Sequence, residues 1–172
     1  MSLAEKTLKE KLVYEGNFMT YYNVDVELPD GNIANRDIIR HPGAAAIIPF
    51  IDKNKVVLIN QYRKALDKEL LEIPAGKLGK NEEPIKAAVR ELEEETGYKA
   101  KEIKYLGKIA TAPGFCDEII YLYKATGLYL GEKSTDEDEF TENIVMSIEE
   151  VKNKIRKGEI IDTKTISILA YL

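Results

Sequence analysis

Glu91, Glu94 and Glu95 stand at positions i, i+3 and i+4 of one acidic stretch. If that stretch is helical, the three carboxylates are neighbours on one face. Carboxylates so grouped can ligate a divalent cation. The competing reading is a solvated Glu-rich face, which is the commoner fate of such a helix. Position argues for the cation. Glu93, Glu94 and Glu95 crowd the turn before Gly97, at the negative end of the helix dipole. Each anion there is unfavourable by roughly 0.3–1 kcal/mol, and adjacent carboxylates repel one another. A doubly charged ion reverses both penalties, with oxygen ligands at about 2.0–2.1 Å for magnesium. At 100° per residue Glu93 projects far from Glu91, so geometry leaves it out of the cluster.

The rest of the composition narrows the chemistry. The 172 residues contain one cysteine, Cys116, and one histidine, His41. These cannot form a disulfide framework, a structural zinc site or a Cys-His pair. Any metal must therefore be held by oxygen, which means magnesium, manganese or calcium. A thiol beside the Asp117 anion is a poor nucleophile, and His41 before Pro42 is read as shaping a loop. The formal net charge of −5 gives no basic footprint for nucleic acid. No apolar run approaches the roughly 20 residues that cross a bilayer, and no signal segment opens the chain. The expected location is the cytoplasm.

The elements that must hold the carboxylates can be read from pattern. Pro84 suits a helix start and Gly97 its C-terminal cap. Ile85, Ala88, Val89 and Leu92 recur at helical spacing and form the expected apolar stripe. Before it, Phe18 to Val26 and Ile33 to Ile39 read as strands around the turn Pro29-Asp30-Gly31-Asn32. Ala44 to Ile51 and Val56 to Tyr62 are near-continuously apolar strands, expected to be covered on both faces. Leu70 to Ala75 is a short extended segment ending at Gly76, with a polar loop from Lys77 to Glu83. Strands follow near Lys104 to Thr111, Ile119 to Ala125 and Ile144 to Ser147, separated by an acidic loop at Glu132 to Glu142. A helix starts near Ser147 or Ile148, and a second helical stretch lies within Thr163 to Leu172. Strands enclosed by helices predict an α/β fold with α/β/α layering.

Spacing adds a sharper constraint. Gly76 is followed after five residues by Glu82, then after seven by Arg90-Glu91-Leu92, then Glu94-Glu95 and Gly97. This resembles the complete Nudix box, with Tyr98 where a bulky apolar residue is usual. The resemblance implies a Nudix-type α/β/α sandwich with a mixed sheet, preceded by an N-terminal antiparallel β region. It implies that Glu91, Glu94 and Glu95 bind metal, Glu94 directly or through water, together with the carbonyl of Ala75. Glu82 and Arg90 match a structural ion pair, and Gly76 and Gly97 match a turn and a cap.

His41-Pro42-Gly43-Ala44, Gln61-Tyr62-Arg63, Glu72-Ile73-Pro74-Ala75-Gly76 and Ala112 to Glu118 look like the ADP-ribose pyrophosphatase branch of that family. Pro113, 16 residues after Gly97, and the ending Gly158 to Asp162 agree. The implied reaction is metal-dependent hydrolysis of ADP-ribose, or a related ADP-sugar, to AMP and ribose 5-phosphate, using Mg2+ with Mn2+ as substitute. Arg63 is the candidate for holding developing negative charge. In the acidic loop, Glu137 is placed ahead of Glu139 as the group that orients or deprotonates the water. Glu118 resembles a contact to substrate or water. Adenine needs a flat partner, and Tyr14, Tyr21, Tyr22 and Arg36 supply candidates, with Tyr22 and Arg36 carried forward. Relatives exchange this N-terminal region between subunits. A homodimer is thus implied, with 1–40 serving dimerisation and substrate contact and 41–172 as the hydrolase domain. The alternatives are another nucleotide, such as GDP-mannose or an oxidised nucleoside triphosphate, and a non-catalytic nucleotide sensor. The intact box weighs against the sensor.

Overall fold

The computed structural model describes residues 2–134 and 140–172. The chain forms two compact units, Met1–Gly43 with Ala110–Ile119, and Ala44–Ile109 with Ile120–Leu172.

The first unit is built on an antiparallel sheet, β1 (Lys6–Glu15), β2 (Thr20–Glu27) and β3 (Ile33–Arg40), in that order. The predicted turn joins β2 to β3. Asp30 accepts from the backbone and side-chain nitrogens of Asn32 at 3.0 and 2.8 Å, and Gly31 takes the left-handed conformation the turn requires. Val24 and Val26 are buried, whereas every residue of β1 is exposed. Sequence pattern did not single out β1. Its lysines and glutamates obscure alternation, and its order comes from pairing with β2. The 110–119 segment joins this unit through a parallel bridge between Ile39 and Cys116.

The second unit contains β4 (Ala44–Pro49), β5 (Lys55–Arg63), β6 (Lys68–Glu72), β7 (Ala75–Lys77), α1 (Pro84–Thr96), β8 (Tyr98–Ala110), β9 (Ile119–Leu130), β10 (Thr141–Ser147), α2 (Ile148–Arg156) and α3 (Thr163–Ile168). A four-stranded sheet runs β7-β4-β9-β8, with β4 antiparallel to β7 and parallel to β9. A second sheet, β10-β5-β6, is antiparallel. The turn at 52–55 closes with a single antiparallel bridge, Phe50 to Val56, and carries the chain from one sheet to the other. The expected single segment from Leu70 to Ala75 is two strands, broken at Ile73-Pro74. The proline supplies no backbone donor there.

β4 is buried on both faces, as its composition predicts. Ala45 and Ile47 pack with Ala87, Ala88 and Leu92 of α1. Ala44, Ala46 and Ile48 pack with Val56 and Leu58 of β5, Val151 of α2 and Ile168 of α3. The fold is thus α/β with a mixed sheet between helices. The capping chemistry fits the sequence. Ser147 and Glu150 form a reciprocal capping box at α2, and Gly97 closes α1 in the left-handed conformation. Among the described residues no helix is long and apolar enough to cross a membrane.

One expectation about α1 is corrected. Ile85 and Val89 are 42% and 44% exposed, while Ala87, Ala88, Glu91, Leu92, Glu95 and Thr96 are buried. The helix is rolled so that two glutamates, not two branched aliphatics, face inward.

Candidate active site

The inward roll of α1 follows from what lies opposite it. Strand β4 offers Ala45 and Ile47 to the helix, and Ala87, Ala88 and Leu92 fill the contact. Beside them Ala75 and Gly76 run in strand β7, paired with Ala46 and Ala45, in place of the turn expected at Gly76, and the Ala75 N–H is a backbone donor that an apolar stripe would leave unsatisfied. Glu95, 1% exposed, accepts from the Ala75 N–H at 2.8 Å. Glu91, 7% exposed, lies so close to Gly76 that an added Cβ would sit 1.8 Å from its Oε1. The absence of a Cβ lets the carboxylate approach the backbone this closely.

Arg90 organises the polar side of the same helix. Its Nε and Nη2 meet the two carboxylate oxygens of Glu82 at 3.1 and 3.2 Å. Glu82 also accepts from the Gly79 N–H at 2.8 Å, which fixes the loop before the helix. The remaining nitrogen, Nη1, lies 2.6 Å from Glu91 Oε1 and 2.8 Å from Glu94 Oε2. One guanidinium thus links Glu82, Glu91 and Glu94. The hydrogen bonds from Arg90 and Gly79 hold the Glu82 carboxyl below the usual range. Arg90 in turn is raised, first by Glu82, against an opposing effect of burial. Glu93 points elsewhere, to Lys99 at 3.0 Å.

The end of α1 is closed despite its negative charge. Gly97 N–H donates to Glu93 O at 2.8 Å, Ser134 N–H to Glu94 O at 3.2 Å, Thr141 Oγ1 to Glu95 O at 3.1 Å, and Asn143 Nδ2 to Thr96 O at 2.7 Å. These donors satisfy the carbonyls a helix terminus otherwise leaves orphaned.

The donor set fits a hard divalent cation. It consists of carboxylate oxygens on the C-terminal half of α1, the end that favours positive charge, beside the backbone of Ala75 on β7, and the missing Cβ of Gly76 leaves room for the Glu91 carboxylate. Among the described residues no three acidic, histidine or cysteine side chains already converge as a ligand set. Arg90 occupies Glu91 and Glu94 instead.

Arg63 ends β5 and grips Glu72 with two bonds, Nε to Oε1 at 2.8 Å and Nη2 to Oε2 at 2.6 Å. The hydrogen bonds to Glu72 raise its pKa despite burial, and Glu95 and Asp162 add to the effect through charge. Of the α1 carboxylates, Glu95 is the one whose charge Arg63 feels. Glu72 is 1% exposed and also receives Lys164 Nζ. In the sequence Glu72 and Asp162 stand out only as parts of recognisable segments, and nothing marks Lys164. No local pattern marks an ion pair between residues 92 apart.

In the first unit, Tyr22 is half-buried on β2, paired with Leu12 and Ile38. Arg36 is held by Glu5, with Nε to Oε2 at 3.1 Å. Glu118 accepts from Thr111 Oγ1 at 2.7 Å and lies 3.5 Å from His41 Nδ1. His41 serves its loop: Nδ1 accepts from the Gly43 N–H at 3.1 Å, and its own backbone N–H donates to Asp117 Oδ1 at 2.8 Å. Glu137 and Glu139 lie outside the described residues.

Comparison with known proteins supplies independent context. The chain is 46% identical over 170 residues to a protein of Bacillus methanolicus named methanol dehydrogenase activator, covering 98% of this chain and 92% of the other. It is 42% identical over 173 residues to an ADP-ribose pyrophosphatase of Bacillus subtilis (strain 168), covering 99% and 94%. A solved structure described as an ADP compounds hydrolase superposes with a TM-score of 0.87 over 99% of this chain and 94% of that one. At 22% identity this likeness speaks for the fold. The NUDIX domain model matches residues 40–166, which include the loop, the helix and its inward carboxylates, and so the chain belongs to the Nudix family of hydrolases.

Proposed function

We propose that the protein hydrolyses the pyrophosphate bond of ADP-ribose, or a closely related ADP-sugar, to AMP and ribose 5-phosphate, in the presence of Mg2+ or Mn2+. The observation that carries this reading is the inward pair Glu91 and Glu95 against Ala75-Gly76. The relative named ADP-ribose pyrophosphatase supports the choice of substrate.

Glu91, Glu94, Glu95 and the Ala75 carbonyl would hold the metal. When bound, the cation neutralises pyrophosphate oxygens and lowers the pKa of a coordinated water. Release of Glu91 and Glu94 from Arg90 would free both carboxylates for ligation, with Arg90 retained by Glu82. Arg63 is held by Glu72 through Nε and Nη2, which leaves Nη1 as a donor for an anionic oxygen. In the reaction a water oxygen bonds to one phosphorus, the bridging P–O bond breaks, and the proton passes to a carboxylate. Glu137, or secondarily Glu139, is assigned that proton. Glu118, Arg36 and Tyr22 are assigned to substrate contact. The exposed strand β1 is assigned to a homodimer, and the lone cysteine fits the reducing cytoplasm.

The test is product analysis on a panel of ADP-ribose, other ADP-sugars, GDP-mannose and oxidised nucleoside triphosphates, with and without chelator. AMP and ribose 5-phosphate from ADP-ribose, abolished by EDTA and restored by Mg2+, is the expected result. Exclusive release of pyrophosphate from a triphosphate, or turnover that survives chelation, would overturn it. A second reading follows from the relative named methanol dehydrogenase activator: the same hydrolysis stimulates a dehydrogenase. Stimulation of methanol dehydrogenase by the protein, lost in the Glu94→Gln, Glu95→Gln double variant, would support that reading.

A further inference from the structure

The most buried ion pair among the described residues, Glu72 with Lys164, ties the Arg63 of the proposed chemistry to a lysine that this chemistry does not itself use. Glu72 bridges two cations: Arg63, through the two bonds already given, and Lys164, whose Nζ donates to Glu72 Oε2. The Lys164 side chain is 8% exposed and also meets Asp162 Oδ1 at 3.1 Å. Two positive and two negative groups thus balance around a buried Glu72–Lys164 pair, with the Arg63 side chain reaching the surface at 37% exposure.

The group is rigid because α3 is tied to the chain on both sides of the Glu72–Ile73 peptide. Asp162 caps α3, accepting from the Thr165 N–H at 2.9 Å and from its hydroxyl. The same hydroxyl oxygen accepts from the Ile73 N–H at 2.8 Å. Two residues beyond Ile73 comes Ala75, which meets Glu95. A buried ion pair is weak evidence of stabilisation, since apolar replacements often serve as well. Its distinctive property is fixed direction. A bidentate carboxylate holds a guanidinium in one plane, and Lys164 removes the freedom of that carboxylate to turn.

We infer that Lys164 is a positioning residue for Arg63: by sharing Glu72, it locks the guanidinium so that Nη1 meets an anionic phosphoryl oxygen of the substrate. This rests on the reading of Arg63 under the proposed function. It also makes the C-terminal helix, more than ninety residues from Glu72 in sequence, part of what orients the reacting group.

A double-mutant cycle on the full-length protein tests it, using Lys164→Met, Lys164→Arg and Arg63→Ala in Mg2+ with ADP-ribose. Arg63→Ala is expected to lower kcat by about 100-fold. Lys164→Met should lower kcat by roughly 10- to 100-fold, the scale of a misoriented group, with KM within about threefold. In the Arg63→Ala background, Lys164→Met should add less than about twofold, because the group it orients is gone. Lys164→Arg, which keeps a donor to Glu72, should recover most of the loss. Mn2+ affinity, measured by titration without substrate, should be unchanged in Lys164→Met. Should Lys164→Met fail to fold, Glu72→Gln is read in the same cycle. Independent, multiplying losses in the double variant would assign Lys164 a merely structural role and overturn the inference while leaving the Arg63 reading intact. An Arg63→Ala variant with unimpaired turnover would overturn both.

Discussion

A single methyl group separates Gly76 from alanine, and β7 has no place for it while the Glu91 carboxylate stays where it is. The Cβ would lie 1.8 Å from Glu91 Oε1 and 2.1 Å from its carboxyl carbon. The obstruction is the tip of a flexible side chain, so α1 can keep its seat by turning Glu91 aside. Gly76→Ala is therefore expected to cost the fold only about 1–3 kcal/mol, yet to lower turnover by about 100-fold or more through the displaced carboxylate. Circular-dichroism melts and kcat measured on the same preparation separate the two, and retained turnover would contradict the close approach. At this scale the sequence was informative about residue type and silent about cause. The spacing Gly76, Glu82, Arg90, Glu91 located the loop and helix, but nothing in it revealed that the glycine answers to a carboxylate fifteen positions on. Arg63 was recognisable as a candidate anion holder. Its anchor Glu72 and the lysine behind that anchor were not, because the contact closes only when β6 and α3 meet.

Helix α1 shows where pattern reading succeeds and where it slips. Its ends were legible from Pro84 and Gly97, and the structure places them at Pro84–Thr96 with Gly97 as the left-handed cap. Its facing was not. Counting apolar residues centres the buried arc between Ile85, Ala88, Val89 and Leu92. The observed arc, from Ala87 through Glu91 and Glu95 to Thr96, is rotated by about 60° at 100° per residue. Hydrophobicity assigns glutamate outward by default, and it cannot register that the Ala75 N–H needs an acceptor. A stability test follows directly. Val89→Lys should change unfolding free energy by less than about 0.5 kcal/mol, as for an ordinary surface position. Leu92→Ala should cost about 2–5 kcal/mol, as for a filled core site. Urea denaturation at neutral pH measures both, and a large loss at Val89 would restore the simpler apolar stripe.

Across the molecule, long-range pairing is what pattern could not supply. The strands themselves were mostly legible, but β5 lies between β6 and β10 and is not a hairpin partner of β4. That arrangement joins residues nearly ninety positions apart, Val57 with Val145 for example. The same long-range closure sets how the fold responds to acid. Burial pushes the Glu72 carboxyl up, but the hydrogen bond from Arg63 and the charges of Lys164 and Arg63 outweigh it, so its pKa is lowered in the folded state. Glu82 is lowered as well, by Arg90 and the Gly79 N–H. A lowered carboxyl makes the unfolded chain the stronger proton binder on acidification. The stabilisation from these two groups is complete above their ordinary value of 4.5, and is lost as pH falls from there through their lowered folded values. Urea midpoints should thus be flat in this respect from pH 7 to about 5 and fall below it. In Glu72→Gln, which cannot titrate at that position, the fall should be shallower and the midpoint at pH 7 lower, since Arg63 and Lys164 lose a buried anion. A variant whose acid limb matched the parent's would show that the Arg63–Glu72–Lys164 closure contributes nothing to holding the second unit together at neutral pH.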